Sequence, residues 1–131
     1  FLYASALDID FFKSINDNYG HEAGDLVLEV LAELLQRHLH REDLCCRLGG
    51  EEFLILSIEK SPEQAYQKLE KLRQTIETSQ IEYKQQIISL TASFGLTHWQ
   101  QADTFDDLIN RADKALYSAK NNGRNRIETT F

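Results

Sequence analysis

Apolar and polar positions fall into blocks along the chain, and each block has the period of one kind of element. Leu2 to Ile9 is a short apolar run of strand length that ends among the acids Asp8 and Asp10. A polar turn containing Asn16, Asp17, Asn18 and Gly20 is expected next. Val27, Leu28, Leu31, Leu34, Leu35 and Leu39 recur at spacings of three and four, which predicts a helix over about 22–39 with one apolar stripe. Leu44 to Leu48 and Phe53 to Ile58 predict two strands around Gly49-Gly50, a pair that tolerates the positive φ of a tight hairpin.

Ser61-Pro62-Glu63-Gln64 has an N-cap Ser, a Pro at the first helical position and a Gln three residues after the cap, and Ala65, Leu69, Leu72 and Ile76 mark that helix's buried side. Ile81 to Tyr83 and Ile87 to His98 read as strands, the second through the alternation of Ile88, Leu90, Ala92 and Phe94 with Ser89, Thr91 and Ser93. A last helix starts near Thr104 and stops near Gly123. The order strand, helix, strand, strand, helix, strand, helix predicts a single α+β domain with helices laid on a sheet. If the first strand runs upward and a helix returns the chain, the second strand runs upward too. The Gly49-Gly50 turn and Asp8 then meet at one edge, although they lie about forty residues apart.

Composition narrows the function classes. The 131 residues suit one core, and 42% apolar with 27% charged residues is the balance of a globular protein. No apolar run is long enough to cross a membrane, and the opening residues lack the pattern of a leader. A net charge of −7 argues against nucleic acid as the main partner, because phosphate-backbone binding needs a basic surface. Cys45 and Cys46 are adjacent and would point to opposite faces of a strand, so they read as small strand residues rather than a disulfide or metal pair, consistent with a reducing cytoplasm.

The chemistry concentrates at the expected edge. Asp8 and Asp10 share a strand face, and Glu51 and Glu52 leave the hairpin turn beside them. Each acid taken singly reads as a solvated turn residue; together they would repel unless a cation separates them. Oxygen donors of this kind suit magnesium, which completes its shell with water and substrate phosphates. Phe11-Phe12-Lys13-Ser14 offers backbone N–H groups and one Lys as a phosphate cradle. Lys120, Arg124 and Arg126 form a second basic cluster, in which Lys120 also suits a helix C-terminus. Asn16, His21 and Asp25 combine an amide and a carboxylate able to read the edge of guanine, though each is equally a turn, surface or helix-start residue.

Taken together, these segments resemble the GGDEF family of diguanylate cyclases. Arg47-Leu48-Gly49-Gly50-Glu51-Glu52-Phe53 matches its signature turn in the Gly-Gly-Glu-Glu-Phe form. Asp8 to Asp17 with Gly20-His21 and Gly24-Asp25, then Ser93-Phe94-Gly95, then Ala112-Asp113, Ala115-Leu116-Tyr117, Ala119-Lys120 and Gly123-Arg124-Asn125 follow in family order. The resemblance implies a nucleotidyl-cyclase, palm-like fold with a ferredoxin-like core and a mainly antiparallel sheet. It implies that two GTP are joined into cyclic di-GMP with loss of two pyrophosphates, using two Mg2+ or Mn2+ ions per site. Metal ligation would fall to Asp8, the Ile9 carbonyl and Glu51, with Glu51 also the proton acceptor and Asp10 and Glu52 supporting acids. Asn16 and Asp25 would hold guanine with His21 close by; Lys13 would stabilise charge on the reacting phosphate. Phe11 and Phe12 would give backbone N–H groups, and Lys120 and Arg124 would grip the phosphate tail. Each domain would hold one GTP, so the active species would be a homodimer.

Two departures from the family pattern carry expectations of their own. The family's inhibitory Arg-x-x-Asp is His40-Arg41-Glu42-Asp43 here, and imidazole lacks the guanidinium fork, so product inhibition through His40 and Asp43 is not expected. The helix and Asp-x-Leu-Thr-Gly-Leu-x-Asn-Arg turn that usually precede the domain are missing, which implies a piece of a longer signalling protein with an upstream sensory or dimerisation part. The domain itself is expected in the cytoplasm without membrane contact, even within a membrane-anchored protein. The rival readings are a catalytically silent GTP-binding regulatory GGDEF module and a cyclase acting on one nucleotide.

Overall fold

A computed structural model describes residues 1–131. The chain runs β1 (Leu2–Ile9), α1 (Phe12–Tyr19), α2 (His21–His38), β2 (Leu44–Gly49), β3 (Glu52–Ile58), α3 (Pro62–Thr78), β4 (Ile81–Tyr83), β5 (Gln86–Ile88), β6 (Ala92–His98), α4 (Phe105–Asn121) and β7 (Ile127–Thr129). The main sheet has the order β2-β3-β1-β6-β7; every pair is antiparallel except β6 with β7. β4 and β5 form a separate hairpin.

Strand alternation sorts β1 between two cores. Tyr3, Leu7 and Ile9 join the apolar stripes of α2 and α3, including Val27, Leu31, Leu35, Leu69, Leu72 and Ile76. Ala4 and Ala6 face the other way, against Leu108, Ala112 and Leu116 of α4. Small residues on that side let the helix come close. A Cβ on Gly95 would lie 2.2 Å from the Leu116 backbone nitrogen, so α4 sits directly on β6. Capping fixes the helix starts, with Ser61 accepting from the Gln64 N–H and a reciprocal Thr104–Asp107 box opening α4.

Two expectations are corrected. The polar segment after Asp10 is not a turn but the helix α1, because Phe12, Ile15 and Tyr19 form a one-sided apolar face against the α2–α3 core. The stretch 87–98 is not one strand. Its inward alternation holds at Ile88, Leu90, Ala92 and Phe94, but the chain leaves β5 and joins the main sheet only at Ala92.

Candidate active site

The antiparallel register of β1 with β3 puts Asp8 opposite Glu52, so acids from the first strand and from the hairpin meet at one sheet edge. Asp8 is buried, and one carboxylate oxygen, Oδ2, accepts from Lys120 Nζ on α4. Its other oxygen, Oδ1, is buried with no partner. Burial raises the Asp8 pKa, the Lys120 ammonium works against that rise, and the charges of Glu51 and Asp10 add to it. Glu52 is pushed up to about 7, first by burial and then by the Asp113 carboxyl against it, with Asp8 adding and Lys120 opposing. The edge is therefore an under-compensated acidic site.

The hairpin turn is held from behind. Gly50 has φ 52°, in the left-handed region, and Gly49 has φ 153°; Arg47 Nε donates to the Gly50 carbonyl at 2.7 Å. A register shift between Arg47 and Gly49 re-aims the strand end, and Glu51 stands half-buried at the tip.

On the other side of the edge, Phe11 adopts a left-handed conformation (φ 57°) that turns the chain from β1 into α1. The first N–H groups of a helix lack intrahelical partners, so those that follow Phe11 at the start of α1 are available to a ligand, and Lys13 among them is exposed. Asn16, on α1, lies against α2 at Gly24, where a Cβ would sit 1.9 Å from Asn16 Oδ1. Gly24, the chain neighbour of Asp25, thus lets the Asn16 amide pack directly on α2. Asp25 in turn borders a cavity of about 770 Å³ between α2 and β2, walled by Leu28, Leu35, Cys45 and Phe53. An acid at the rim of an apolar slot suits a flat base with ring N–H donors. His21 is the exposed first residue of α2, and its side chain makes no hydrogen bond or ion pair.

Arg124, in a left-handed conformation (φ 65°), places its guanidinium 4.7 Å from the centre of the Phe11 ring. Asp10 does not point into the acidic edge as a free ligand; Thr91, Ser93 and the Asn125 N–H use both its oxygens. At the far end of α2, Asp43 accepts from Lys68 and from the His40 N–H, and Lys68 is shared with Glu59. Cys45 and Cys46 are free and exposed on the edge strand. The sequence reading gave no role to Gly24, Arg47, Asp113 or Asn125. Their signals are a glycine inside an apolar helix stripe, an Arg two residues before a diglycine, and polar residues flanking the basic C-terminal cluster.

No group of three or more His, Cys, Asp or Glu side chains is gathered as a ready-made metal cage. The donors that are present still fit a hard divalent cation. Asp8 Oδ1 is an orphaned, buried carboxylate oxygen beside further acids, and magnesium needs only one or two protein carboxylates when water and phosphate complete its shell.

The family described as "Diguanylate cyclase, GGDEF domain" matches residues 2–126. The chain belongs to the GGDEF family. Diguanylate cyclase A of Treponema denticola is 41% identical to this GGDEF domain over 122 residues, which is 92% of this chain and 33% of the relative. The chain therefore spans about a third of that relative's length. Among solved structures, the diguanylate cyclase SiaD of Pseudomonas aeruginosa, in complex with its activator SiaC, superposes with a TM-score of 0.94 at 38% identity, covering 98% of this chain and 50% of that one. The GGDEF domain of DgcB from Caulobacter crescentus, in complex with c-di-GMP, gives 0.93 at 29% identity, covering 98% and 77%. These likenesses extend to the mostly antiparallel sheet with helices on both faces, the architecture of this GGDEF domain. No helix is long and apolar enough to cross a membrane.

Proposed function

We propose that this GGDEF domain is the catalytic part of a diguanylate cyclase, condensing two GTP into cyclic di-GMP and two pyrophosphates. The observation that carries the reading is the buried, partnerless Asp8 Oδ1 at the edge where Asp8 stands opposite Glu52. Asn16 and Asp25 take the guanine edge, the amide and carboxylate pairing with its acceptor and N–H donors, and Leu28 and Phe53 bound the slot. His21 lies near the base as an added contact. The backbone N–H groups at Phe11 and Phe12 and the Lys13 ammonium receive the phosphates, and Lys120 and Arg124 hold the tail.

Glu51, at the turn tip, accepts the proton of the 3′-hydroxyl as that oxygen attacks the α-phosphate of the second GTP and pyrophosphate leaves. Mg2+ or Mn2+, two ions per site, held by Asp8, the Ile9 carbonyl and Glu51, would polarise the phosphate and lower the pKa of the hydroxyl. Each domain carries one GTP, so two domains must face one another and the working species is a homodimer. An upstream part of a longer protein, on the cytoplasmic side, brings them together in response to a signal.

The test is incubation of the protein with GTP and magnesium while pyrophosphate and the nucleotide product are followed. Two pyrophosphates per cyclic dinucleotide, lost in Glu51→Gln, is the expected result. A cyclic product of one guanosine unit would point to the mononucleotide reaction, and GTP binding without turnover to a silent regulatory module.

A further inference from the structure

We propose that Asp10 is a positioning residue for Arg124, and not a ligand of the divalent cation. Asp10 is 3% exposed and lies just past β1, two residues from Asp8. Its carboxylate is fully employed: Oδ1 accepts from Ser93 Oγ at 2.6 Å, and Oδ2 accepts from Thr91 Oγ1 at 2.6 Å and from the Asn125 N–H at 2.9 Å. The Asn125 N–H also reaches Ser93 Oγ at 3.2 Å. Three protein donors engage both oxygens of this acid, whereas Asp8 Oδ1 has none.

Arg124 and Asn125 are consecutive non-glycine residues with positive φ, 65° and 47°, and such a pair persists only where its surroundings hold it. Asp10 holds it from the sheet edge. The Asn125 side chain holds it from α3, accepting from Arg73 Nη1 at 2.8 Å and donating to Glu77 Oε2 at 2.5 Å. The outcome is an Arg124 guanidinium laid over the Phe11 ring, at the entrance of α1. A charged acceptor on a backbone N–H is among the stronger of such anchors. Asp10 therefore sets where the Arg124 fork can meet phosphate.

The inference rests on the reading of Arg124 as a phosphate-tail contact, and the experiment separates the two. GTP and GMP affinities, and the Mn2+ concentration that half-saturates the GTP-bound protein, are measured for wild type, Arg124→Ala, Asp10→Asn and the double variant, with circular dichroism as the folding control. Arg124→Ala is expected to weaken GTP about tenfold and leave GMP within about twofold. Asp10→Asn should do the same without moving the Mn2+ midpoint, and the double variant should be no worse than Arg124→Ala. If Asp10→Asn does not fold, Ser93→Ala replaces it with the same expectations. A shifted Mn2+ midpoint in the Asp10 or Ser93 variant would overturn the positioning role in favour of metal binding. An effect of Arg124→Ala that the Asp10 or Ser93 variant does not share, or adds to in full, would overturn the inference alone. A GTP-to-GMP ratio untouched by Arg124→Ala would remove the phosphate reading and the inference with it.

Discussion

Asp8 and Glu52 face one another across adjacent antiparallel strands, and the Lys120 ammonium of α4 reaches Asp8. Two acids raised in pKa and one partly exposed cation make an edge whose charge is not balanced by the protein alone. Stability, cation binding and pH should therefore be linked here.

The first consequence concerns pH. Glu52 binds its proton more tightly folded than unfolded, so its contribution is full below the ordinary carboxylate value and is lost as pH rises through about 7. Asp8 shifts in the same direction. The melting temperature of the metal-free protein should fall between pH 5 and pH 8, and Glu52→Gln should flatten that fall. A profile that rises over this range would contradict the shift.

Removing the resident cation should expose the imbalance. Lys120→Met leaves Asp8 buried without its partner; since the Lys120 side chain is 31% exposed, the loss is discounted for solvent screening to about 1–2 kcal/mol. Urea unfolding without metal measures it. Added Mg2+ should recover more stability in Lys120→Met than in wild type.

Two glycines separate recognition from folding. Gly24→Ala collides with the Asn16 side chain, which can swing away, so stability should change little while the KM for GTP rises about tenfold or more. Gly95→Ala meets the α4 backbone at Leu116 and Ala112, which cannot move alone, and should cost about 1–3 kcal/mol or more. Equal stability losses in the two variants would refute this assignment.

The tie of Asp43 to Lys68, together with His40 in place of an Arg, predicts that cyclic di-GMP titrated into the protein shows no micromolar binding dependent on Asp43. Calorimetry on wild type and Asp43→Ala measures it. Tight binding abolished by that substitution would restore the inhibitory site.

Local pattern made much of this legible and left particular pieces hidden. The Gly49-Gly50 hairpin was readable because two apolar runs flank a pair suited to positive φ, and the meeting of Asp8 with that turn followed from strand direction alone. α1 was hidden because Asn16, Asp17 and Asn18 are turn formers; tertiary burial of Ile15 overrides them. β7 has three residues and takes its place only by pairing with β6. The break after Ile88 carries no sequence signal, since the alternation continues through it; Thr91 is occupied by Asp10, 81 residues away. A still longer separation, 112 residues, concealed the pairing of Lys120 with Asp8.

The central claim is that acids from β1 and from the diglycine turn serve one cation site with GTP. Mn2+ binding to the GTP-loaded protein, followed by electron paramagnetic resonance in wild type, Asp8→Asn and Glu51→Gln, tests it most directly. The account predicts that either substitution weakens the same protein-bound Mn2+ by about tenfold or more. Unchanged Mn2+ binding in either folded variant would contradict it.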